Sequence, residues 1–345
     1  ILIIHQQIDL SKKFIIYWVI FTILLILPSI INLSSGRLES DLINLKGLFS
    51  KWIFLSAILF CINSWLKKYD QSQWTNLVYF LTLFMLPIIA IVFFKVLYQI
   101  DLCNISISKL LGGTCRVQPF SVASPFVTSE LFLLFILLSL ALKANLLKAI
   151  FITLSFLTLV FLQTRSAMLA AIISVTIFYG IPILNKFSKT VKLLLISLAI
   201  VLCYYLFIFL VDFPFFGRHL ATMTFRMDMW ELGFETIKSS PWVGIGFDVT
   251  PNFYSYIYNH QEKTIHNMFI RIATENGLPL LILIIITLIM AIYNSFKRKD
   301  LFAIACILAI IVYHSFSTRH ISINLANIFL YIILMRSFYV LKIKN

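Results

Sequence analysis

Four short stretches carry side chains suited to chemistry. They are Gln163-Thr164-Arg165-Ser166, then Phe225-Arg226-Met227-Asp228-Met229-Trp230-Glu231-Leu232-Gly233-Phe234, then Thr264-Ile265-His266-Asn267-Met268-Phe269, and Ser317-Thr318-Arg319-His320. Histidine is the side chain best suited to moving protons near neutral pH, which makes His266 the candidate for acid or base work. A lone histidine is also a common structural residue, and six occur here. A guanidinium presents a planar fork of donors that matches phosphate oxygens. Arg165 stands between two apolar runs with almost no connection, so its charge needs either an anion, a cavity or the headgroup layer. Arg226 opens a helical pattern in which positions 226, 230 and 234 share a face, so a cation backed by two aromatics could hold an anionic, sugar-bearing ligand. The alternative is an amphipathic helix resting on a bilayer, with Arg226 paired to Asp228 or Glu231. Arg319, taken alone, reads as an ordinary interface anchor.

These residues must be positioned by membrane helices. The chain of 345 residues is 61% hydrophobic and 12% charged, a composition that would leave a water-soluble surface greasy everywhere. Ten apolar runs stand out, near 14–33, 48–65, 77–99, 127–143, 149–163, 166–184, 193–211, 278–293, 301–316 and 321–341. Runs of roughly 17 to 25 apolar residues are the mark of spanning helices. Their Leu/Ile/Phe content lacks dyad alternation and argues against a β-barrel. The expected fold is an all-α polytopic membrane protein: seven spans in 1–211, a long connection with short helices in 212–277, and three spans in 278–345.

The net charge of +14 is explained by topology. Lys12-Lys13, Lys67-Lys68, Lys143 and Lys148, Lys186/Lys189/Lys192, Lys297-Arg298-Lys299 and Lys342/Lys344 all fall on one side of the ten spans. By the positive-inside rule that side is cytoplasmic, with both termini there. The opposite, periplasmic side carries the longer connections, and 212–277 holds seven acidic residues against five Lys/Arg. No basic patch for nucleic acid results. Cys61, Cys203 and Cys306 fall inside spans, where a thiol packs as a small hydrophobe. Cys103 and Cys115 share one periplasmic connection and could bridge there or remain free thiols. The apolar start Ile1–Ile4 shows no charged n-region or cleavage site, so a signal peptide is not expected there. Neither a spaced His/Cys set nor a DxD-like cluster suggests a metal, and no nucleotide fingerprint is visible. No cofactor is expected.

One ordered set of elements resembles a known family. Gln163-Thr164-Arg165-Ser166, Arg226…Trp230, Ser240-Pro241-Trp242-Val243-Gly244-Ile245-Gly246 and His266-Asn267…Glu275-Asn276-Gly277-Leu278-Pro279 are similar, in order and placement, to the O-antigen ligase/polymerase superfamily. The likeness runs from about residue 150 to 320, and residues 1 to 148 match only in hydropathy. It implies a GT-C-like integral-membrane glycosyltransferase of the inner membrane with a periplasmic active site. The donor would be an undecaprenyl-diphosphate-linked glycan, and for a ligase the acceptor would be the lipid A-core oligosaccharide. It further implies metal independence, catalytic roles for Arg165, Arg226 and His266, and substrate contacts by Arg319, Trp230, Asn267 and Glu275. Glu275 is expected either to polarise His266 or to cap the next span. Family ligases usually have about twelve spans, so two N-terminal spans are expected to be absent from these ten. The connection 212–277 is short for a polymerase, which favours ligase. A polymerase of lipid-linked repeats is the alternative reading. A transporter of lipid-linked sugars is the more distant one, because no span interior shows paired Gly/Pro breaks.

Overall fold

The computed structural model describes residues 12–34, 52–53, 55–57, 59–62, 71–102, 125–162, 164–191, 194, 197, 201, 221–246, 265–316 and 325–338. Among these residues the chain is helical and contains no strand. The helices are α1 (Lys12–Ser34), α2 (Gln71–Leu102), α3 (Pro125–Leu140), α4 (Asn145–Phe161), α5 (Arg165–Leu184), α6 (Ala221–Ser239), α7 (Met268–Asn276), α8 (Leu278–Lys297), α9 (Leu301–Ser315) and α10 (Leu325–Phe338). Eight of the apolar runs coincide with helices of this series. The run 48–65 is helical at its described residues, and most of 193–211 lies outside them.

Length and composition single out three helices as able to cross a membrane: Trp74–Lys95 within α2, Arg165–Leu184 and Leu278–Lys297. Five further apolar helices are shorter. Outward faces carry large apolar side chains in rows, as on α8, where Ile282, Ile285, Ile286, Ile289, Met290, Tyr293 and Phe296 are all exposed. Such a face is suited to lipid. The long connection expected at 212–277 contains two helices, α6 and α7.

The described residues sort into two compact units. One comprises 75–225 and 300–309. In it α3 is the central helix, buried at every position from 128 to 140 except Leu131. The links α3–α4 and α4–α5 are only a few residues long, so each pair is antiparallel and α3 runs parallel to α5. Lys148 near the start of α4 lies over the rings of Phe178 (5.5 Å) and Tyr179 (6.0 Å), at the matching height on α5. Small side chains let the backbones approach: Ser166, Ala167, Ala170, Ala171 and Ser174 form the buried stripe of α5.

The other unit comprises 1–74, 226–299 and 310–345. Here α1 runs antiparallel to α8. Tyr17 Oη bonds Thr287 Oγ1 at 2.9 Å, while further along α1 the Leu25 carbonyl accepts from Asn276 Nδ2 at 2.9 Å. α8 and α10 end together, where Ser295 and Ser337 share a 3.0 Å hydrogen bond and Arg298 Nη1 donates to the Arg336 carbonyl at 3.3 Å. The Arg336 guanidinium lies 4.7 Å over the Trp74 ring, which offsets part of its burial cost. Trp18 and Trp52 stack at 4.5 Å and donate to Ser56 and Thr22 respectively, so both buried indoles are satisfied.

Candidate functional site

The site forms where α6 lies against the segment 265–278. Its seat is Gly233: a methyl group there would fall 2.7 Å from Ile270 Cγ2 and 3.2 Å from Ile265 Cδ1. Only a residue without a side chain lets α6 come this close. Seven residues earlier on the same helix face is Arg226, with Met229, fully buried, and Trp230 between them. The packed stripe is therefore 226, 229/230, 233 and 236, and Phe234 turns outward at 52% exposure. This corrects the expectation that 226, 230 and 234 form the working face. Spacing by four drifts around a 3.6-residue helix, whereas 226 to 233 is a near-integral two turns.

The element containing His266 starts with a cap. Asn267 is the N-cap of α7, and its Oδ1 accepts from the backbone N–H of Phe269 (2.9 Å) and Ile270 (3.2 Å). Its side-chain oxygen is thus used to start a helix, which fixes the backbone beside His266. Asn267→Ala is expected to cost about 1 kcal/mol, read as a lower thermal midpoint in detergent with unchanged helix content.

Glu275 serves a different purpose from those expected. Its side chain has no exposed surface, and its Oε1 accepts from Arg271 Nε at 2.8 Å across one turn of α7. His266 Nδ1 is buried and without a hydrogen-bond partner, so Glu275 does not polarise it. Nor does Glu275 cap α8, whose N-cap position is Gly277 and has no side-chain cap bond. In this geometry the carboxylate has no surface to offer a substrate. Arg271 was missed by sequence reasoning, although its i,i+4 spacing to Glu275 was a readable signal.

The Pro241–Gly246 stretch clasps the end of α7. Ile245 N–H donates to the Thr274 carbonyl (2.9 Å), Gly246 N–H to the Glu275 carbonyl (2.9 Å), and Leu278 N–H to the Pro241 carbonyl (2.7 Å). The two chains approach so closely that Gly244 and Gly277, both at positive φ, face each other's neighbours: a Cβ on Gly244 would lie 2.5 Å from the Glu275 carbonyl carbon. Gly277 has φ 81° and ψ 168°, a region that is essentially glycine's own. Gly277→Ala adds a methyl 2.7 Å from the Trp242 carbonyl carbon. It is expected to destabilise by about 1–3 kcal/mol of backbone strain alone, seen as a thermal shift relative to Ala at an unstrained position. The two motifs are thus halves of one joint.

Electrostatics set the state of the histidine. Burial first, and the Arg226 guanidinium second, hold the His266 imidazole down at about 4. The ring is neutral throughout the physiological range. Trp230 Nε1, on the next turn from Arg226, is a buried donor without a partner. The linkage has a definite sign. An unfolded histidine binds its proton near 6.5, so the folded chain loses stability relative to the unfolded as pH falls from about 6.5 to about 4. Above that window the contribution is flat. Thermal midpoints of wild type and His266→Gln are expected to differ by a constant above pH 7, with wild type falling relative to the variant between pH 6.5 and 4.

The structure therefore brings together Arg226, Trp230 and His266, with Asn267 and Glu275 in supporting positions. Arg165 is the exposed first residue of α5 in the other unit, behind the buried N-cap residue Thr164. Arg319, Cys103 and Cys115 lie outside the described residues. Among the described residues no three His, Cys, Asp or Glu side chains converge as a metal site.

The apolar helices define a multi-pass helical membrane protein. Its residues 149–285 match the family model described as O-Antigen ligase. The match takes in Arg165, Arg226, Trp230, His266, Asn267 and Glu275, and supports the likeness to the O-antigen ligase/polymerase superfamily. It points to a glycosyltransferase-type enzyme of lipopolysaccharide assembly. Neither the curated proteins nor the solved structures offer a match.

Proposed function

We propose that the protein is a periplasm-facing O-antigen ligase of the inner membrane. It would transfer a glycan from undecaprenyl diphosphate to a sugar hydroxyl of lipid A-core. The observation that carries this reading is the match of residues 149–285 to the O-antigen ligase family model, a segment that holds Arg165, Arg226 and the half-buried His266. In the proposed reaction the acceptor hydroxyl attacks the anomeric carbon from the face opposite the diphosphate. The new C–O bond forms as the bond to the diphosphate oxygen breaks, which inverts the centre. His266 takes the hydroxyl proton through Nε2, because Nδ1 is sealed. The electron pair leaves with undecaprenyl diphosphate, whose charge Arg226, Arg165 and Arg319 are proposed to hold. Trp230 would lend its unpartnered N–H to a sugar or phosphate oxygen. No metal is required in this scheme, since guanidinium groups supply the positive charge that a cation supplies elsewhere.

The test is transfer by purified protein in detergent with EDTA, supplied with undecaprenyl-diphosphate glycan and lipid A-core. Core lipid capped with glycan is the expected product. Lengthened lipid-linked glycan without capping would replace the ligase reading by a polymerase. Absence of both products beside an active control ligase would sink the transferase reading.

A further inference from the structure

The last turns of α8 carry a groove that glycan transfer does not use. Ile289, Ile292, Tyr293, Phe296 and Lys297 line this shallow groove of about 650 Å³. Spaced by three and four, they form a strip along one side of the helix, about 12 Å long at 1.5 Å per residue. Ile289, Tyr293 and Phe296 are the three most exposed large apolar side chains of α8. At the end of the strip Tyr293 and Lys297, four apart, bring a hydroxyl and an ammonium to the same side. An oily floor with a cationic mouth fits a molecule that has an apolar chain and an anionic head.

The cationic end is fixed in place by the fold. Lys297, Arg298 and Lys299 follow one another and outweigh the roughly half-unit of negative charge at a helix C-terminus. Arg298 Nη1 donates to the Arg336 carbonyl at 3.3 Å, which fastens this turn to α10. Lys299 has φ 56°, and its N–H donates to the Phe296 carbonyl at 3.0 Å, so the helix ends on a lysine in the left-handed region. Glycine takes that position without steric cost, and lysine does not. Strain of this kind persists where a site needs the side chain. From Gly277 to Asn345 the sequence has seven Lys/Arg and one acid, Asp300, whose Oδ1 accepts from the Ala303 N–H at 3.1 Å.

We propose that this groove holds one anionic phospholipid, its acyl chain along Ile289, Ile292 and Phe296 and its phosphate against Lys297 and Lys299. α8 is long and apolar enough to cross a membrane, and lysines at such an end sit at headgroup height. A zwitterionic headgroup brings an ammonium of its own, which three consecutive cations repel. An anionic one relieves the crowding of those cations and covers the exposed strip, so the bound lipid stabilises the joined ends of α8 and α10. The site does not depend on the ligase reading, and loss of that reading would leave it standing.

The full chain in nonionic detergent tests this, with phosphatidylglycerol as the probe. Native mass spectrometry is expected to retain one phosphatidylglycerol per chain, and the thermal midpoint should rise as that lipid is added. Phosphatidylcholine at the same mole fraction should do neither. Lys297→Gln/Lys299→Gln should need roughly 25-fold more phosphatidylglycerol for half of the thermal shift, about fivefold for each lysine beside an anionic lipid. Lys186→Gln/Lys189→Gln removes two exposed lysines from another part of the chain and should bind as wild type. Ile289→Trp keeps every charge but fills the floor of the groove, and it should lose the retained lipid. Lys299→Gly should raise the lipid-free midpoint by relieving the left-handed strain, and should weaken the rise that lipid brings. Equal retention of the two lipids would overturn the proposal. So would equal losses in the two double-lysine variants, unaltered binding by Ile289→Trp, or a midpoint raised as much by inorganic phosphate as by the lipid.

Discussion

Replacing His266 with alanine is expected to lower glycan transfer by about 10²–10⁴-fold, the range that a positioned acid or base contributes. The variant should still fold, because the ring makes no hydrogen bond through its buried Nδ1 whose loss would unseat α7. Donor affinity should change little, since the guanidinium of Arg226 remains. The decisive comparison is therefore kcat against KM for the lipid-linked donor, with helix content and thermal midpoint as controls. A fall in kcat at constant donor KM is the signature of a group used in the transition state. A rise in donor KM with kcat intact would instead make His266 a binding residue and leave the proton without an acceptor.

The second large effect concerns stability. Arg271→Leu is expected to destabilise the fold by about 3–5 kcal/mol, the cost of leaving one member of a buried ion pair uncompensated. Glu275 in that variant has no exposed surface and cannot turn to water without dismantling the end of α7. The double variant Arg271→Leu/Glu275→Leu should recover much of the loss, because an apolar pair of similar volume removes the stranded charge. Thermal unfolding of the four proteins in one detergent gives the cycle directly. Equal destabilisation by the single and double variants would mean that the cost comes from packing and not from charge.

These two residues also mark how far the amino-acid sequence can be read. Membrane helices announce themselves because bilayer thickness demands a minimum run of apolar residues, and eight such runs reappear as helices. The break at Thr164–Arg165 was legible for the same reason, since a charge at the joint of two apolar runs has nowhere else to go. The order Arg226, His266 and Gly277 was legible through family likeness. Closeness in space was not. Arg226 and His266 are forty positions apart, and only the seat at Gly233 brings them together. Glu275 was misassigned because a carboxylate near a histidine invites a catalytic pairing, while the nearer i,i+4 arginine had already claimed it. Phe234 was misplaced because aromatic character outweighed the helical angle, and the glycine beside it carried the contact.

The clasp between Pro241–Gly246 and the end of α7 makes two short motifs depend on one another. Gly246 is pinned to α7 through the Glu275 carbonyl, and Ile265 packs against Gly233 of α6. The clasp thus fixes where Gly246 and Ile265 stand at the two ends of the joint. A change at either glycine of the joint, Gly244 or Gly277, would therefore disturb both the α7 end and the turn that holds it.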